Sequence, residues 1–123
     1  MPVSDLRVLA YYGDCIYENW IRELAIHRFE TLDAIHAFTI KHVCTEFQAK
    51  LLQKLLPDMS EDLQEIARRG RNLAVPQGRR ANQQDYRAAT AFEAVIGHVA
   101  HHSPAQLEGL KNRVITALSV TNA

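Results

Sequence analysis

Apolar residues return every three or four positions along most of this chain and never alternate for long, a pattern that predicts helices and almost no strands. Leu6, Leu9, Gly13, Ile16, Tyr17, Trp20, Ile21 and Leu24 form one stripe, expected on a first helix capped by Ser4 and running to about Arg28. Thr31 caps a second helix, ending near Val43. The run "TEFQ" reads as a capping box, with Thr45 as cap and Gln48 three residues on, and opens a third helix that stops before Pro57. Ser60, followed by Glu61 and Asp62 where a helix end is positive, starts a fourth, which frays around Gly70. "NLAVPQGRR" has proline, glycine and no period, and reads as an exposed loop. A fifth helix runs from Asn82 to about His101, and Ser103 with Pro104 supplies the cap and first-turn proline of a sixth. The expectation is an all-α fold of about six helices, one domain over residues 1–123.

Composition changes this picture little. With 123 residues, 47% of them hydrophobic, the chain has enough apolar surface to close one core without disulfide or metal staples. Cys15 and Cys44 match no metal or redox spacing and read as reduced thiols, in keeping with a cytoplasmic protein. The opening "MPVSDLRVLA" lacks the apolar run of a signal peptide, and no stretch is apolar enough to span a membrane. Fourteen basic and fourteen acidic residues cancel, which argues against coating nucleic acid by bulk charge. The distribution is uneven, however: from Arg68 to Arg87 there are six arginines and one acid, Asp85.

Two carboxylates stand out. Asp14 follows Gly13 on the margin of the first helix's apolar stripe, where a cleft would open. A glycine inside a helix costs about 1 kcal/mol and usually marks close approach by another element. Glu93 sits in "AATAFEAVIGHVA", apolar nearly all round, and shares a face with the small residues Ala89, Thr90, Gly97 and Ala100. A carboxylate buried there must be neutralised, paired with a cation, or bound to a metal. Ordinary pairing, of Asp14 with Arg22 or of Glu93 with an arginine, is one outcome. Two carboxylates meeting between closely packed helices is the other, a hard-oxygen site suited to Mg²⁺ rather than zinc.

"LAYYGDCIYE", then "RRGRN", then "YRAATAFEAVIG" resembles Mini-ribonuclease III, the short relatives of ribonuclease III that keep the endonuclease domain and lack the double-stranded-RNA-binding domain. The resemblance covers roughly Leu6 to Leu110. It implies a Mg²⁺-dependent endonuclease, with Mn²⁺ able to substitute, that cuts double-stranded RNA as a homodimer and matures the ends of large-subunit ribosomal RNA. Asp14 and Glu93 match the family's retained catalytic, metal-binding carboxylates. Full-length ribonuclease III carries further acids where this chain has Arg7, Ala10 and Thr90; alanine and threonine at the last two are what the Mini members look like. Glu18 is a possible outer-shell helper. Tyr11 stands where the family's aromatic plugs a pocket of the partner subunit.

The arginines of the basic loop between the fourth and fifth helices, Arg68, Arg69, Arg71, Arg79 and Arg80, suit the phosphates of a duplex, since arginine matches phosphate bidentately. A-form RNA is read chiefly through phosphates and 2′-hydroxyls, so sequence selectivity should be modest. The competing reading is a catalytically inactive ribonuclease III-like domain serving as a structural RNA- or ribosome-binding module. A helical protein-interaction module is a third, and leaves Glu93 in the core without purpose. His98 and His102, four apart, have zinc-compatible spacing but lack a third ligand.

Overall fold

A computed structural model describes residues 5–76 and 83–121. Among the described residues six α-helices follow one another: α1 Leu6–Arg28, α2 Leu32–Val43, α3 Thr45–Leu55, α4 Glu61–Arg71, α5 Gln83–His102 and α6 Leu107–Thr121. No strand occurs among the described residues, and no described helix is long and apolar enough to cross a membrane. The expected all-α architecture is the one observed.

The helix starts show which local signals act. Thr31 Oγ1 accepts from Ala34 N at 3.2 Å and Ser60 Oγ accepts from Leu63 N at 3.3 Å, as their positions predicted. At α1 the cap is Asp5, whose carboxylate accepts from Arg7 N at 2.9 Å; Ser4, the expected cap, lies outside the described residues. The predicted box at Thr45 does not form: Cys44 precedes the helix without a side-chain cap bond, and Thr45 is its first residue. Gln48 instead faces the core with Leu51, Leu52 and Leu55, one stripe of α3. Pro57 ends α3 through a 3-10 turn, Leu56–Asp58. As expected, α4 ends near Gly70, at Arg71; a side chain at Gly70 would meet Ala91 of α5, and glycine lets the two helices touch. The start expected at Asn82 lies outside the described residues. The sixth helix is preceded by a 3-10 turn, Pro104–Gln106, and Ser103 makes no side-chain cap bond.

The core is built around α5, whose Ala88, Ala91, Phe92, Val95, Ile96 and Val99 are all buried. Against it pack α1, α4 and α3, while α2 covers α1 and α6 closes against α3. Tyr17 pins α1 to α2: its hydroxyl donates to the His42 carbonyl at 2.6 Å and its ring meets Phe92 edge-on at 5.2 Å. Burial raises the phenol's pKa, so it stays a donor. His42 is itself buried, stacked on Phe38 at 4.0 Å and edge-on to Phe47 at 4.7 Å.

Candidate active site

The contact that makes the site is glycine against glycine. A Cβ built on Gly13 would collide with the carbonyl oxygen of Glu93, and one on Gly97 would collide with that of Leu9. Neither collision can be relieved by a rotamer, since the obstacle in each case is main chain. Backbones of α1 and α5 therefore touch directly, and the residues next to each contact, Asp14 and Glu93, are brought side by side.

Asp14 is exposed and Glu93 half-buried, and their carboxyl groups share a hydrogen bond. Burial first, then the Asp14 charge and this shared bond, push Glu93 up to about 8; the amide of Gln48 works in the opposite direction. Two carboxyls this close do not both ionise readily at neutral pH without a cation between them. The donor set is all hard oxygen, which fits Mg²⁺ or Mn²⁺ and not a thiolate- or imidazole-seeking metal. Among the described residues no group of three or more His, Cys, Asp or Glu is placed to hold a metal, so a cation held by this pair would complete its shell with neutral oxygens, water or substrate phosphate. Arg22, the alternative partner weighed for Asp14, pairs instead with Glu18 at 3.6 Å.

The arginines divide. Arg68, Arg69 and Arg71 stand exposed on the last turns of α4, not in a loop as the glycine at position 70 suggested. Arg68 is forked onto Glu65, with contacts of 2.8 and 2.6 Å. Arg79 and Arg80 lie outside the described residues. Arg87 donates to the carbonyls of Arg71 at 2.8 Å and Leu73 at 3.3 Å, tying the end of α4 to α5. Arg7, Ala10 and Thr90 share one cavity of about 260 Å³, whose wall also includes Tyr11, Gly70 and Arg87. The Thr90 hydroxyl is used within its own helix, donating to the Tyr86 carbonyl at 3.0 Å. Tyr11 is 75% exposed, on the outer side of α1.

Gln48 is the residue that reading the sequence missed. Taken as part of a cap, it proves to be buried beside Glu93. Its spacing from Leu51, Leu52 and Leu55 was the available signal, since a polar residue on an apolar stripe needs a reason. The rings of His98 and His102 lie tilted to one another with centroids 4.6 Å apart, and burial, then His102, lowers the pKa of His98. Both cysteines are free thiols.

Comparison with known proteins bears on this geometry. Residues 7–104 match the family described as Ribonuclease III domain. The chain is 36% identical over 100 residues to Mini-ribonuclease 3 of Thermosynechococcus vestitus, covering 81% of this chain and 66% of that protein. It is 35% identical over 117 residues to Mini-ribonuclease 3 of Thermoanaerobacter sp., covering 92% of this chain and 78% of that protein. The matched part thus spans just under two thirds of the first of these relatives and more of the second. A crystal structure of a Fusobacterium nucleatum protein superposes with a TM-score of 0.82 at 23% identity, over 96% of this chain and 94% of that one, and shares the fold.

Proposed function

The chain belongs to the ribonuclease III domain family and, within it, to the Mini-ribonuclease 3 proteins, and on that premise we propose that it is a Mg²⁺-dependent endoribonuclease that cuts double-stranded RNA. The observation that carries this is the carboxyl pair at the α1–α5 crossing, with Glu93 pushed up to about 8 by burial and by Asp14. A protein with no use for a cation there gains nothing from setting two acids side by side against a helix backbone.

Asp14 and Glu93 are the residues that would hold the ion, Mg²⁺ or Mn²⁺. When bound, that ion supplies activation of water and neutralisation of charge at the scissile phosphodiester. To hold the ion Glu93 would have to release its proton, so binding would be favoured as pH rises. Hydrolysis adds water to phosphorus and breaks the bond to the 3′ oxygen, leaving a 3′-hydroxyl and a 5′-phosphate. Arg69 and Arg71 face the duplex phosphates, and Arg68 joins them by exchanging Glu65 for phosphate. Arg79 and Arg80 extend the same basic stretch. Two copies, joined through contacts that include the exposed Tyr11, set two sites across one duplex so that both strands are cut. The substrate is precursor ribosomal RNA of the large subunit, processed in the cytoplasm.

The test is cleavage of a labelled RNA duplex by the wild type, Asp14→Asn and Glu93→Gln at equal folded protein. Loss of cutting in both variants with duplex binding kept supports the proposal. The cavity at Arg7, Ala10 and Thr90, which holds no acid, motivates the second reading, an inactive RNA- or ribosome-binding module. A wild type that binds duplex RNA but never cuts it, over a range of Mg²⁺ and Mn²⁺, establishes that reading instead.

A further inference from the structure

Gln48 is 3% exposed, and its Oε1 is buried without a hydrogen-bond partner. It stands on the face of α3 that carries Leu51, Leu52 and Leu55 into the core against α5. A leucine or methionine would fill this volume without burying an unmatched oxygen, which destabilises a fold. Packing therefore gives no reason for an amide here.

The other end of the amide gives one. Its Nε2 donates to the Val43 carbonyl at 3.0 Å, which fixes the orientation, because the opposite rotamer would set oxygen against oxygen. An amide nitrogen carries two hydrogens. One is used on Val43, and the second is available to the Glu93 carboxyl beside it. We infer that Gln48 is a positioning residue for the active site, its Nε2 donating to Glu93 and aiming that carboxylate at Asp14 while the Val43 carbonyl holds the amide in place. The inference rests on Glu93 being a metal-binding carboxylate, as proposed above. Gln48 does not touch the ion; it fixes the orientation of the carboxyl group that does.

The competing role is purely structural, a staple across the α2–α3 junction through Val43. Gln48→Met separates the two, since it keeps length and lacks the amide. Mn²⁺ binding to the full chain without RNA, followed by electron paramagnetic resonance, should weaken on the order of tenfold, the usual effect of losing a group that orients a ligand. In duplex cleavage the Mg²⁺ concentration for half-maximal rate should rise by a similar factor while the rate at saturating Mg²⁺ falls less. Unchanged Mn²⁺ binding in Gln48→Met, at any melting temperature, overturns the inference.

Should that variant not fold, the wild type decides. The Gln48 side-chain amide, followed by ¹⁵N NMR, should shift on adding Mg²⁺ with the saturation of the metal site, and should stay still in Glu93→Gln. An amide signal that ignores saturating Mg²⁺ in the wild type also overturns it. Glu93→Gln separates the two levels of failure. If it binds Mn²⁺ as the wild type does, the reading of Glu93 falls and takes this inference with it. If Glu93→Gln loses Mn²⁺ and Gln48→Met does not, only the role of Gln48 falls.

Discussion

Without divalent cations the carboxyl pair should weaken the fold as pH rises, and Glu93→Gln should remove that weakness. An acid held at about 8 in the folded state and near 4.5 when unfolded binds its proton more tightly folded. Stability is then greatest below about 4.5 and is lost as pH climbs through about 8. At about 1.4 kcal/mol per pH unit, that interval sets a ceiling of roughly 5 kcal/mol. Asp14 is exposed, so water and counter-ions screen its part, and about 2 kcal/mol is the figure to expect. For a chain of this size it corresponds to roughly 6–10 °C in melting temperature. Urea denaturation of wild type and Glu93→Gln in chelator, from pH 5 to 9, reads the effect as a difference, in which other titrating groups cancel. The two should lie closest near pH 5, diverge as pH rises to about 8 and run parallel above it, with the variant the more stable. Adding Mg²⁺ at pH 9 should then lift the wild type and leave the variant unmoved. Stability curves that run parallel across the whole range would refute the coupling of these two carboxyls.

Asp14→Asn in the same series should move the pH of lost stability downward without returning Glu93 to an ordinary carboxyl, because burial is the larger cause; an unmoved midpoint would show that Asp14 contributes nothing. Gly13→Ala and Gly97→Ala each drive a methyl into a main-chain carbonyl, and thermal melts should show losses of about 3 kcal/mol or more, at or beyond the upper end of ordinary overpacking. Gly109→Ala in α6 meets nothing within 4 Å and should stabilise by about 0.5–1 kcal/mol through helix propensity, which makes it the control.

Much of this was legible because the informative residues are costly ones. Glycines inside helices at 13 and 97, and an acid in the most apolar stretch, break the local rules of helix composition, and each break coincides with the α1–α5 contact. Thr31 and Ser60 read correctly because a cap is settled within a few residues. Thr45 and Gln48 misled because the same letters spell a capping box or a buried amide, and only the position of α5 decides between them. Gly70 marked the end of α4 to within a residue, but nothing in its neighbourhood announces Ala91 across the interface. Ser4 and Asp5 are adjacent residues both able to cap, so the choice between them was beyond the pattern.

Where two backbones touch, no side chain acts as a spacer. The separation of Asp14 and Glu93 is thus decoupled from the volume of the core residues around them, and Leu51, Val95 or Ile96 can be exchanged to tune how long the molecule survives heat without altering the gap between the two carboxyls. Enzyme engineers usually meet a trade between ruggedness and turnover, because the same contacts serve both. Here the two are drawn largely from different parts of the chain, and a search for a hardier variant can range over the apolar interior while leaving positions 13, 48 and 97 untouched.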